Sequence, residues 1–200
     1  MPDYPTVKQD ATTIKDNVAE GSNTASFVGQ TMLDLAILAE SGDSYFVDYN
    51  NNAADISLTA DTWTDIPNNA AGSFTNTAYK PSDLSALGLI DTSTGYLDFT
   101  GLELGTQLLI RSDVTVTPQT NNSLLELRYL LGAGANQYPL LFWSERLDSG
   151  SGIGYSRVVP FPIYMGDTNT RDNAGRLQVK LSSAGTLSNA GVYISILKRA

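Results

Sequence analysis

"QLLIRSDVTVTP", residues 107–118, is the stretch on which the fold turns. Leu108, Ile110, Val114 and Val116 fall on one side of an extended chain, and Arg111, Asp113, Thr115 and Thr117 on the other. Successive side chains of a strand point to opposite faces, so this alternation describes a sheet with one face buried and the other wet. The same period returns in "SLLELRYLLG" (123–132: Leu125, Leu127, Tyr129, Leu131), "RLQVKL" (176–181: Leu177, Val179, Leu181) and "GVYISILK" (191–198: Val192, Ile194, Ile196). Shorter candidates are 54–59, 61–67, 95–100, 139–146 and 156–166, bounded by turn-forming clusters such as "PNNAAG", "PQTNN", "DSGSGIG" and "TNTRDNAG". About nine or ten short strands with turns between them predict an all-β domain over 43–200, an antiparallel sandwich or barrel. One stretch, "PSDLSALGLI" (81–90), breaks the rhythm and reads as a single helical turn.

The front of the chain is different. Residues 1–22 hold two prolines and only scattered aliphatics at Val7, Ile14 and Val18, too few to bury a core, so this segment is expected to be an extended arm ordered only on a neighbour. Residues 23–42 follow helical spacing, with Val28, Met32, Leu35 and Ala39 on one stripe, a cap from Ser22, Asn23 or Thr24, and Gly42 as terminator. A helix of this length is marginal alone in water, so its apolar stripe must pack.

Composition removes most chemistry. The 200 residues contain no Cys and no His. Without imidazole there is no Ser-His or Cys-His nucleophile pair and no His metal ligand, and without Cys no thiolate site and no disulfide framework. A net charge of -9 argues against nucleic acid, whose binding draws on Lys and Arg releasing counterions. No apolar run approaches the roughly 20 residues that span a bilayer, and the N-terminus lacks the layout of a signal peptide, so synthesis and folding in a cytoplasm are expected, with no membrane partner.

Carboxylate pairs are the catalytic apparatus that survives, since glycosidases need only two such groups. Asp98, Glu103, Glu126 and Glu145 all fall on polar faces, where exposure is expected, so no catalytic residue is assigned and the chain is read as a non-enzyme. "DTNTRDNAG" (167–175) begins like a calcium loop but places Arg171 and Asp172 where an acid or amide and a Gly are needed; it reads as a turn, and no metal ligand or cofactor site is assigned. "DSGSGIG" has no following helix to present amides to a phosphate and reads as a loop. Trp63, Phe142, Trp143, Phe161 and Tyr164 are the aromatics a sugar site would use, although alternation sends at least half of them into the core.

The succession "ADTWTDIPNN", "YLDFTGLELGTQLLIRSDVTVTP", "LLELRYLLGAG", "PFPIYMGDTNTRDNAGRLQVKLSSAG" and "NAGVYISILKR" resembles jelly-roll domains of the tumour-necrosis-factor and complement-globular-head type, and more narrowly those of tailed-phage virion proteins. "TIKDNVAEGSNTASFVGQTMLDLA" (13–36) is similar to linkers that precede such domains in phage fibre and decoration proteins. The resemblance implies an antiparallel jelly-roll sandwich behind an extended arm and one short helix, assembled as a homotrimer with the last strand near the three-fold axis. Tyr193, Ser195 and Leu197, opposite Val192, Ile194 and Ile196, are then the trimer-interface candidates. It further implies a decoration or cement protein on a capsid exterior, made in a bacterial host cytoplasm, whose arm docks on the major capsid protein through Tyr4, Val7, Ile14 and Val18. The alternative is a head or tail fibre whose tip recognises a host-surface glycan or protein through "NQYPLLFWSER", "DSGSGIGYS" or "TNTRDNAG".

Overall fold

The computed structural model describes residue 32 and residues 44–80, 88–148 and 150–197. The arm candidates Tyr4, Val7, Ile14 and Val18, the helix expected over 23–42 apart from Met32, and most of the turn expected at 81–90 lie outside the described residues. Tyr45–Ile196 form one compact unit.

Its strands are β1 (Ser44–Asn50), β2 (Ile56–Leu58), β3 (Thr64–Asp65), β4 (Ile90–Asp91), β5 (Tyr96–Leu97), β6 (Gln107–Pro118), β7 (Ser123–Leu131), β8 (Tyr138–Leu147), β9 (Tyr155–Tyr164), β10 (Arg176–Leu181) and β11 (Gly185–Leu197). One sheet runs in the order β1-β11-β6-β9, with β2 also pairing β11; a second, four-stranded sheet runs β3-β10-β7-β8; β4 and β5 pair separately. Followed along the chain, β1, β3, β6, β7, β8, β9, β10 and β11 change sheet at every step except the β7–β8 hairpin. That wiring is the jelly roll: two Greek keys folded so that the edges of two sheets come together. The fold class expected from the sequence is therefore present, and the strand order alone establishes it.

β6 alternates buried and partly exposed residues along its whole length, as the opening stretch requires. Leu108, Ile110, Val114 and Val116 face Leu125, Leu127 and Leu131 of β7 in one continuous core. Burying each such side chain contributes about 1.5–3 kcal/mol, which is why register slips of one residue are not tolerated. Ser112 breaks the apolar run on β6, and the reason lies across the core. Its hydroxyl meets that of Tyr129 at 3.1 Å, and burial raises the Tyr129 pKa strongly, so the phenol stays protonated and bonded.

Three features go beyond what the sequence pattern indicates. Phe142 is an extra residue in β8, at an irregularity between Leu127 and Arg128 in the pairing register, so Phe142 and Trp143 both pack on the core where alternation would have sent them to opposite faces. β11 is longer than "GVYISILK" indicates: its first part pairs β2, and Asn51 N donates to Ala190 O beside its second part. Between them the inward side switches parity at Gly191 and Val192, both buried. Gly191 has φ +154, and a Cβ there would lie 2.6 Å from Tyr49 O, so only glycine permits the switch. The third is β1, absent from the sequence candidates because it offers the core only Val47 and Tyr49 as fully buried side chains.

The free edge of β9 is also distinctive. Pro160 pairs Arg111 and Pro162 pairs Leu109 in an unbroken ladder. Proline cannot donate, so the ladder uses the alternate residues, and positions 160 and 162 turn donorless backbone to the open side.

Candidate functional site

The described residues bring no catalytic set together. Glu126 and Glu145 are half-buried and ion-paired, to Lys180 and Arg157 respectively, which corrects the expectation that they stand exposed. They also lie on opposite sides of one sheet: Glu126 pairs Ser144, while Glu145 pairs the core residue Leu125. Two carboxylates so placed cannot flank one substrate. Asp98 accepts hydrogen bonds from the Thr100 backbone at 3.0 Å and hydroxyl at 2.7 Å, fixing a turn, and Glu103 is exposed. No group of three or more acidic residues is placed to hold a metal among the described residues, and none of their helices is long and apolar enough to cross a membrane. "DTNTRDNAG" forms a helical turn, α1 (Thr168–Arg171), with Asp167 Oδ1 accepting from Thr170 N at 2.7 Å; that bond holds the Asp167 carboxyl below its ordinary pKa. Asn169 ties this turn to the 132–136 loop through Ala133 N and Asn136 O.

The aromatics that a sugar site would use are scattered. Phe142 and Phe161 stack with each other and with Tyr129, at centroid distances of 4.9–6.0 Å, inside the sandwich. Trp143 packs against the same core, Trp63 lies beneath a guanidinium on an outer face, and Tyr164 stands exposed on the other outer face.

What the fold does present is two outer faces of contrasting character. On the β1-β11-β6-β9 sheet, Tyr193, Ser195 and Leu197 alternate with buried Val192, Ile194 and Ile196, as the sequence indicates. Tyr193 is half-covered within its own chain: Phe46 stacks on it at 5.7 Å, Tyr79 stacks on Phe46 at 4.9 Å, and the Arg111 guanidinium sits 5.2 Å from its ring centre. Arg111 is in turn held by both carboxylate oxygens of Asp113. Across the same face, β6 and β9 expose Leu109 (44%), Val158 (59%) and Tyr164 (65%) beside Pro160 and Pro162, while Leu197 is 47% exposed. Sequence reasoning did not single out Leu109, Val158, Phe46 or Tyr79; the apolar residues on the polar side of these strands were the available signal.

The β3-β10-β7-β8 sheet shows water a polar mesh. Gln178 Nε2 donates to Asp65 Oδ1 at 2.6 Å, Tyr96 OH donates to Asp65 Oδ2 at 2.7 Å, and Arg128 Nε donates to Gln178 Oε1 at 2.7 Å. Arg176 adds an ion pair to Asp65 at 3.6 Å, and Lys180 pairs Glu126 while lying over Trp63.

The chain is similar to the Eiger TNF from S. frugiperda (10% identical, TM-score 0.45, covering 78% of this chain and 92% of that one). It is similar also to the PRD1 vertex protein (15%, 0.37, covering 80% and 98%) and to the Tobacco streak virus coat protein (13%, 0.31, covering 78% and 86%). Likeness at this level carries no functional weight, and the fold rests on the strand order. No protein-family model matches the chain, and no curated protein matches it.

Proposed function

We propose that this protein is a structural component of a virus particle, a homotrimeric decoration or cement protein that binds the capsid exterior. The observation that carries the reading is the outer face of the β1-β11-β6-β9 sheet: four large apolar side chains more than 40% exposed, on strands whose other side is a closed core. Contiguous apolar surface of this kind marks a contact site. A cyclic assembly joins two different patches of each protomer, and this face carries two: an aromatic one (Phe46, Tyr79, Tyr193) and a proline–aliphatic one (Leu109, Pro160, Pro162, Tyr164). Ser195 and Leu197 lie on this face too and complete the interface with Tyr193.

The work of such a part is mechanical. An arm, residues 1–22, ordered on the major capsid protein through Tyr4, Val7, Ile14 and Val18, gains from being presented three at a time, because linked contacts multiply affinity without new chemistry. An acidic body does not compete for packaged genome. Light scattering tests the assembly: the expected mass is three times the 21.4 kDa of one chain, and a monomer at micromolar concentration overturns it. Deleting 1–22 should leave the trimer intact and abolish binding to particles.

A second reading, a fibre tip that recognises a host-surface glycan, is favoured by one observation, the polar mesh on the other sheet.

A further inference from the structure

Within that mesh one cation is prepared and left without an anion. Arg128 lies on β7, an interior strand, with its guanidinium carbon 3.9 Å from the Trp63 ring centre and its Nε committed to Gln178. Gln178 is itself fixed by Asp65, so stacking on one side and a two-step relay on the other hold the fork in one orientation. Its two terminal nitrogens take no hydrogen bond among the described residues. Arg111, Arg157, Arg171 and Arg176 each have a carboxylate partner, at Asp113, Glu145, Asp172 and Asp65, and Arg146 donates from a terminal nitrogen to the Asn122 carbonyl. The acids near Arg128 are engaged elsewhere, Asp65 with three other groups and Glu126 with Lys180. Burial first, and then the neighbouring positive charge of Arg176, weigh against the Arg128 cation, while Asp65 and Glu126 favour it. The fold thus holds a partly desolvated guanidinium in one orientation with its two terminal nitrogens open to an incoming anion.

We propose that Arg128, flanked by Lys180 and Trp63, binds the carboxylate of an acidic sugar residue. A planar carboxylate matches two parallel N–H donors of a guanidinium, where a point charge would not distinguish it. The surroundings favour a sugar over a peptide. β7, which carries Arg128, is an interior strand paired along its length by β10 and β8, so an extended peptide has no edge to join beside Arg128 itself. Side chains must do the recognition, and those nearby mix donors and acceptors, as ring hydroxyls require: Lys180, Glu126 and the exposed Ser144. Leu141, paired with Arg128 and 53% exposed, offers an apolar shoulder to the C–H face of a pyranose. The site stands on the sheet opposite the proposed trimer face and does not depend on that assembly.

The test is a titration of the isotope-labelled, full-length protein with sodium glucuronate, glucose as the neutral sugar and a glutamate-rich peptide as the non-sugar acid. The chain has two tryptophans, so the two indole N–H resonances report separately on Trp63 and on core-packed Trp143. Glucuronate should shift the Trp63 signal saturably, leave Trp143 unmoved and lose effect in high salt, and glucose should do nothing. Arg128→Lys keeps the charge and Arg128→Gln keeps the length, so both should preserve the Trp143 signal and weaken binding roughly tenfold or more. No saturable shift at Trp63, unchanged affinity in both variants, or tighter binding of the peptide than of glucuronate would each overturn the assignment. Native mass is read independently, so loss of sugar binding and loss of the trimer are distinguishable.

Discussion

The two outer faces are built from strands of the same kind, yet they spend their side chains in opposite ways. On β3-β10-β7-β8, most polar groups are satisfied within the face: Asp65 alone receives bonds from Gln178 and Tyr96 and pairs Arg176. On β1-β11-β6-β9, the polar groups bond in local pairs, Arg111 with Asp113 and Thr115 with Ser156, and leucine, valine, tyrosine and proline are left to water beside them. A satisfied face needs no partner to be stable; an apolar one gains from a partner through the area removed from water. The difference teaches that exposure alone does not locate an interface, and that exposure combined with the absence of internal satisfaction does.

Three changes would break or sharpen this contrast. The largest effect is expected from Leu109→Asp combined with Tyr164→Asp, which places charge in the middle of the apolar face. Light scattering should report dissociation to monomers with an unchanged far-ultraviolet spectrum, and a trimer that survives would move the interface elsewhere. Next is Asp65→Ala on the polar face. It strips Gln178, Tyr96 and Arg176 of their acceptor, and Gln178 is buried, so denaturant unfolding should show a loss of about 1–3 kcal/mol while the native mass stays the same. The smallest concerns pH. The hydrogen bond to Asp65, and secondarily burial, raise the Tyr96 pKa above its ordinary 10.0. A group whose folded pKa is raised contributes stability below its unfolded pKa and loses it as pH climbs through the folded one. Wild type should therefore lose more stability than Tyr96→Phe as pH rises past about 10, with the two curves parallel at neutral pH; curves that stay parallel throughout would show the bond to be idle.

Much of this was legible in the sequence, for a physical reason. Wherever a strand has one face buried, period two is forced on it, so 107–118, 123–131 and 176–181 could be read residue by residue, Ser112 excepted. Ser112 looks like an error in β6 until Tyr129 is seen across the core, and that pairing joins residues no local pattern connects. The reversal of β11 at Gly191 and the extra aromatic in β8 were hidden likewise, because each depends on a neighbouring strand's register. The expectation that Glu126 and Glu145 stand exposed failed for a related cause: sequence gives the side of a strand, and only the sheet gives which side is inside and which cation lies opposite. Among the functional candidates, the outward orientation of Tyr193, Ser195 and Leu197 followed from alternation. The apolar stripe on β9 did not: the segment reads as a strand, but with apolar residues on both of its sides the sequence pattern does not tell which side is the core.

The prolines of β9 bear on how copies of the chain meet one another. Where many copies of a chain share a small volume, a bare sheet margin seeds stacking of chain on chain into insoluble fibrils. With Pro160 and Pro162 withholding two amide protons from that margin, growth by strand addition finds no template. That margin closed to strand addition, the exposed faces of the sheets are what one copy offers another.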